Sequence, residues 1–287
     1  MAKHYAISPD VLRREVFWLE PVVESLALAC AGRAEPLFVA VVGAPASGKQ
    51  IDAQFLDVAL TDLGFNVLSI ALDDFNLSGQ ARELLGRQVH PLFQLRGAVG
   101  THRTAELLRL LGRIKAWRAG DSLQVPVFDL AADMPAPMSQ WRTIDQRPDV
   151  VIVRGWCLGA LVEEPDALKE PRNTLESAED SRSIWRRAMN ENLRSSYMSI
   201  SAMFDRWLFR QAPNFDAVSR WYLAEDKRTL DAAPAQQPRP AGDTAERFLM
   251  AAERVIRAQL SWMPHNVNYL LTLNDDRMIT SFSRKGD

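Results

Sequence analysis

The sequence predicts an α/β fold with a mostly parallel central sheet, and three observations carry that prediction. Leu37, Phe38, Val39, Ala40, Val41 and Val42 form an unbroken apolar run ending at Gly43, the pattern of a strand covered on both faces. Two more strand-like runs follow, one at 66–72 that is apolar apart from Asn66 and Ser69 and one at 150–153 that stops at Arg154 and Gly155. Amphipathic stretches at 49–63 and 104–119 lie between them, and strands that alternate with helices are joined by crossovers that make them parallel.

The elements follow in order. Val11, Val16, Leu19, Val22, Val23, Leu26 and Leu28 recur at near-helical spacing and predict an entry helix over 9–32, with Ser8 as its cap before Pro9. The strand at 37–42, the helix at 49–63 and the strand at 66–72 read as one βαβ unit. Residues 163–180 are acidic and polar with two prolines, which reads as a surface loop. A long helical stretch over 181–211 follows, with Trp185 and Trp207 as core anchors. Pro- and Ala-rich residues 232–243 read as a mobile excursion. A helix over 244–261 and a strand pair at 269–274 and 277–283 close the chain. The helical part thus falls at about 181–261 within one unit of 1–287, and there is no internal repeat.

Composition excludes several function classes. The chain has 287 residues, 47% hydrophobic, enough for a proper core. Lys plus Arg number 34 against 36 Asp plus Glu, a formal charge of −2, so the basic excess of a nucleic-acid binder is missing. Cys30 and Cys157 have neither disulfide-scaffold nor metal-site spacing. No apolar run reaches the ~18 residues of a membrane span, and the start lacks a signal-peptide core. The expectation is a cytoplasmic protein that binds neither membrane nor nucleic acid. Nothing in the sequence indicates a protein partner.

Gly43, Ala44, Pro45, Ala46, Ser47, Gly48, Lys49 and Gln50 stand between the first buried strand and the first amphipathic helix, the context a phosphate-binding loop requires. Glycines let amide N–H groups converge on an anion, the helix N-terminus adds partial positive charge, and Lys49 reaches the outer phosphates. The pattern ordinarily ends in Ser or Thr, whose hydroxyl ligates Mg²⁺; here Gln50 holds that place. The alternative is a plain glycine turn, which the placement disfavours. A dinucleotide site lacks its GxGxxG spacing. Asp73 and Asp74 end the second strand, on the edge where open α/β sheets bind ligands; either carboxylate suits a general base or a water-mediated metal contact, and Asp73 equally suits a turn cap. His90 and His102 are not spaced as helical metal ligands, Ser47 has no triad partners, and Cys157 reads as packing.

Five ordered segments carry a resemblance: 43–50, 71–78, 96–103, 125–133 and 150–159. With Trp185, Asn190, Tyr197, Ala212, Pro213, Trp221, Ala252, Glu253 and Arg254, they resemble the plant-type and fungal D-glycerate 3-kinases and their bacterial relatives. The resemblance covers most of the chain and implies a P-loop NTPase-type three-layer fold. It also implies ATP- and Mg²⁺-dependent transfer of the γ-phosphate to a hydroxyl of a small acid such as glycerate. In this reading Lys49 holds phosphates and Asp73 or Asp74 activates the acceptor. Arg96, His102, Arg103, Asp129 and Arg154 surround the substrate.

The departures concentrate at the polar edge. Gln50 replaces the hydroxyl residue, Asn76 a position that is often aromatic, Arg103 an aspartate, Leu130 a basic residue, Arg154 a glutamate and Ala252 a tyrosine. Phosphoryl transfer rests on positioning and charge stabilisation, and losing one electrostatic element costs on the order of 10²–10³ in rate. These changes count against a bound Mg²⁺ and against fast turnover. Two functions stay open: a glycerate-kinase-like small-molecule kinase, or a degenerate relative that binds a nucleotide or phosphorylated ligand without turnover. Lys49, Arg103 and Arg154 form either a cation cluster around bound phosphates or closed salt bridges with Asp73, Asp74 or Asp129.

Overall fold

A strand with no polar side chain has to lie inside a sheet, and β1 (Leu37–Gly43) does: all seven residues are buried. The computed structural model describes residues 9–232 and 244–285, with side chains over 16–229 and 244–285. β1 pairs in parallel with β7 (Val150–Gly155) on one side and β8 (Arg206–Gln211) on the other. Beyond β7 lies β2 (Val67–Ala71); beyond β8 lie β9 (Tyr269–Leu273) and β10 (Ile279–Arg284). The order is β10-β9-β8-β1-β7-β2, and only the β9/β10 hairpin is antiparallel. Two short ribbons pair β3 (Leu123–Val125) with β6 (Arg142–Ile144) and β4 (Phe128–Asp129) with β5 (Met134–Pro135).

The helices are α1 (Pro9–Cys30), α2 (Lys49–Asp62), α3 (Gly79–Gln88), α4 (Thr104–Lys115), α5 (Thr174–Glu179), α6 (Ile184–Asn192), α7 (Met198–Ser201), α8 (Phe215–Ala232) and α9 (Ala245–Trp262). α1 packs on α2, which in turn lies against β1, β2 and β7. Thr244 Oγ1 accepts from Arg247 N at 3.2 Å and caps α9. Ser8 and residues 233–243, read as a cap and a mobile excursion, lie outside the described residues.

The βαβ unit of β1, α2 and β2 forms, with β7 inserted between its two strands, which puts β2 at the sheet edge. Two expectations are corrected. The stretch 181–211 is not one helix. It runs α6, a π turn at Leu193–Tyr197, α7 and then β8, so the helical part at about 181–261 contains a central strand. Arg206 and Arg210 stand four apart and imitate a helical polar face, but Trp207, Leu208 and Phe209 between them are strand formers. The sheet accommodates Arg210, 2% exposed, by pairing it with the buried Asp52. Trp185 is buried as expected, whereas Trp207 is only partly covered.

Nor is 163–180 all loop: it lies at the surface, as read, but α5 spans Thr174–Glu179. Leu168, Leu175, Glu176 and Asp180 are buried within it, and Arg254 of α9 bolts the segment down. Its guanidinium donates to both carboxylate oxygens of Glu176 (3.0 and 2.7 Å), to Glu163, and to the carbonyls of Ala167 and Glu170. Two acids of the segment are thus neutralised by a cation from far along the chain.

Candidate phosphate-binding site

Where β1 ends, the chain must turn sharply into α2, and local sterics decide how. A Cβ on Gly43 would lie 2.5 Å from Ser47 Oγ, so only glycine fits beneath the loop. Ala46 (φ 59°) and Gly48 (φ 100°) take left-handed conformations on either side of Ser47, which aims successive amides into one concavity. Ser47 N donates to Ala44 O at 3.1 Å, and Ile51 N to Gly48 O at 2.8 Å. The amides of Lys49 and Gln50, which open α2 ahead of those bonds, lie before the first helical acceptor, and the helix N-terminus adds partial positive charge at the same place.

The cradle is held from outside. Arg210 stands opposite Gly43 in the β1/β8 register, its guanidinium lies under Gly48, and it pairs with Asp52 of α2. Arg277, at the tip of the β9/β10 hairpin, donates through Nη1 to Ala46 O at 2.8 Å and to Glu225 Oε2 at 3.1 Å. The sequence reading singled out none of Asp52, Arg210, Glu225 and Arg277. Asn274, Asp275 and Asp276 do mark a hairpin turn before Arg277, but contact between that tip and the loop is a long-range fact.

Inside the cradle, Lys49 Nζ donates to Ala44 O at 3.4 Å. Burial pushes its ammonium below the ordinary lysine range; Asp73 opposes that shift, and Arg154 adds to it. Lys49, Asp73 and Arg154 are therefore electrostatic neighbours. Asp73 is exposed in a 3-10 turn (Leu72–Phe75) that continues β2. Asp74 is half-buried, Oδ1 accepting from Phe128 N at 3.5 Å, and burial raises its carboxyl. Arg154 is half-buried in β7, level with Val41 and Ala71. Its side chain forms no hydrogen bond or ion pair among the described residues.

The remaining sequence-picked residues go elsewhere. Arg103 pairs with Glu106 on α4, donates to Asp74 O at 2.8 Å and Asn76 O at 3.3 Å, and lies over the Phe75 ring. Arg96 donates to Leu130 O at 3.1 Å and to Asp133, which also clamps the buried Arg82. Asp129 Oδ1 accepts the amides of Ala131 and Ala132, both at 2.9 Å, and shapes a turn. His102 is buried: its Nδ1 meets Tyr197 Oη at 2.6 Å, and burial holds its pKa down to about 4. The salt bridges read as open, from Arg103 or Arg154 to the carboxylates of Asp73, Asp74 or Asp129, do not form. Cys157 is buried, its thiol raised by burial.

Triphosphate chemistry suits this cradle of amides and ammonium. Beside a nucleotide, Mg²⁺ takes phosphate oxygens, waters and only one or two protein oxygens, ordinarily including the hydroxyl that ends the loop. Gln50 is exposed, a guanidinium stands at the end of β7, and among the described residues no three Asp, Glu, His or Cys side chains are grouped to hold a metal.

Neither a protein-family model nor a curated protein matches the chain. Solved structures do. D-glycerate 3-kinase from Cryptococcus neoformans var. grubii serotype A is 20% identical, with a TM-score of 0.67 over 92% of this chain and 99% of its own. The YGR205w protein is 19% identical, with a TM-score of 0.66 over 95% of this chain and 98% of its own. The chain has the α/β fold of these two proteins, with a mostly parallel central sheet.

Proposed function

We propose that the protein transfers the γ-phosphate of ATP to a hydroxyl of a small metabolite, with a hydroxy acid of the glycerate type as the acceptor to test first. The observation that carries this reading is the cradle: left-handed Ala46 and Gly48, the helix start and Lys49 on one side, with the exposed Asp73 carboxylate beside the ammonium. The amides of Ala46, Gly48, Lys49 and Gln50 and the Lys49 ammonium bind the phosphates. Asp73 takes the proton as the acceptor oxygen bonds to the γ-phosphorus and the bond from that phosphorus to the bridging oxygen breaks, leaving ADP. Asp73 suits this role better than Asp74, whose carboxylate already accepts Phe128 N. Residues 1–287 act as one unit in this reading, and no helix among the described residues is long and apolar enough to cross a membrane. Gln50 brings no hydroxyl to Mg²⁺ and Arg154 sets a cation near Lys49, so in this reading no step is assigned to the ion.

The test is direct: purified protein, ATP and D-glycerate, with and without Mg²⁺, assayed for phosphoglycerate and ADP. Product that disappears in Lys49→Ala and Asp73→Asn supports the reading, and no product across a panel of small hydroxy acids refutes it. A second reading, nucleotide binding without turnover, is favoured by one observation, the guanidinium of Arg154 beside Lys49. It predicts an ATP-dependent rise in melting temperature with no ADP released.

A further inference from the structure

Two cations side by side in a partly desolvated site are unfavourable unless an anion joins them. Lys49 and Arg154 are such a pair: Arg154 depresses the lysine ammonium, and neither forms an ion pair among the described residues. Two carboxylates stand nearby: Asp73 acts on the Lys49 ammonium more strongly than Arg154 does, and Arg154 acts on Asp74, but neither carboxylate forms an ion pair with either cation, Asp73 is exposed, and burial pushes Asp74 towards its neutral form. Arg103 is not part of the cluster, because Glu106 and the carbonyls of Asp74 and Asn76 occupy it. The strand register places Arg154 level with Val41, two residues before the loop begins, and with Ala71, two before Asp73.

From this arrangement we infer that Arg154 supplies, from the protein itself, the positive charge that a divalent cation gives a nucleotide's outer phosphates, so that the site takes a di- or triphosphate without metal. A guanidinium suits this role: it is always charged and presents a planar fork of donors that matches phosphate oxygens. The inference rests on the phosphate-loop reading and deepens it, replacing metal dependence with dependence on one side chain.

The experiment is isothermal titration calorimetry of the full chain with ATP, in excess EDTA and in excess Mg²⁺, on the wild type and on Arg154→Gln, Arg154→Lys, Arg154→Glu and Lys49→Ala, each checked by thermal unfolding. The wild type should bind ATP in EDTA at least as tightly as in Mg²⁺. Arg154→Gln should lose on the order of 10- to 100-fold in EDTA, the scale of a charge-assisted contact. Arg154→Lys keeps the charge and should retain most of the affinity even if the glutamine variant folds poorly, and Arg154→Glu should bind more tightly in Mg²⁺ than in EDTA. Wild-type binding that requires Mg²⁺, or undiminished binding by Arg154→Gln in EDTA, overturns the inference while the phosphate loop stands. ATP binding in neither buffer, or undiminished binding by Lys49→Ala, overturns the loop reading and the inference together.

Discussion

Gly48→Ala separates two costs that a phosphate loop ordinarily combines. The backbone cost is that of holding a residue with a Cβ at φ 100°, about 1–2 kcal/mol. The packing cost arises because the new Cβ would lie 3.1 Å from Arg210 Cζ, 3.2 Å from Nε and 3.3 Å from Nη2, all tighter than ordinary contact. That guanidinium has little freedom to retreat, being buried and paired with Asp52, so overpacking adds about 1–3 kcal/mol. Gly64 is the internal control: it follows α2 at φ 91°, and a Cβ there meets nothing within 4 Å. Gly64→Ala should therefore show the backbone cost alone. A chain of this size loses about 2 °C of melting temperature per kcal/mol. Gly64→Ala should thus melt about 2–4 °C below wild type and keep its ATP-induced shift, while Gly48→Ala should melt about 4–10 °C lower and lose the shift. The assay is thermal unfolding by circular dichroism with and without ATP. Equal melting temperatures for the two variants would show that Arg210 yields, and would refute the claim that its guanidinium fixes the underside of the loop.

Two further outcomes follow from buried charge. His102 has a pKa of about 4 in the folded protein against about 6.5 unfolded, so between these values the unfolded chain binds more protons and stability rises with pH. The contribution is present in full above pH 6.5 and is lost as pH falls towards 4, by about 3 kcal/mol; urea midpoints at pH 7 and pH 4.5 should show it, with a flatter difference in His102→Gln. Glu176→Gln leaves the Arg254 guanidinium, whose side chain is 1% exposed, short of its fully buried partner. It should cost about 3–5 kcal/mol by urea denaturation, and a loss under 1 kcal/mol would mean that Glu163 and the backbone carbonyls suffice.

What the sequence discloses is what neighbours along the chain decide. β1 is legible because six consecutive apolar residues admit no exposed face, and the loop because its glycines and lysine answer to local sterics and to the start of α2. The fate of Arg103 was within reach too, since Glu106 stands three residues on along a helix, at ion-pairing distance. β8 was not legible: its two arginines match helical spacing, and the partner that lets Arg210 lie in a sheet, Asp52, is 158 residues away. The burial inside 163–180 was hidden for the same reason, because the cation that neutralises Glu163 and Glu176, Arg254, comes from α9. His102 was taken for a substrate contact from its place in a motif, whereas its ring is closed off against Tyr197.

The cations around the loop divide by what they meet. Arg210 and Arg277 each find a carboxylate, Asp52 and Glu225, and each also meets the loop itself, one beneath Gly48 and the other at Ala46 O. Their charge is spent on fixing the two residues with left-handed backbone, which lack the local stability to hold that shape alone. Lys49 and Arg154 have no ion pair among the described residues, and Arg154 depresses the lysine ammonium against the larger opposing pull of the exposed Asp73. The first pair makes the cradle rigid before any ligand arrives, and the second makes it electrostatically incomplete. An anion entering between Lys49 and Arg154 removes their repulsion without requiring the loop to move, which is the physical meaning of a preorganised site. Neither Gln50 nor Arg154 takes part in that support: the contacts that hold Gly43, Ala46 and Gly48 in place come from β8 and the β9/β10 hairpin.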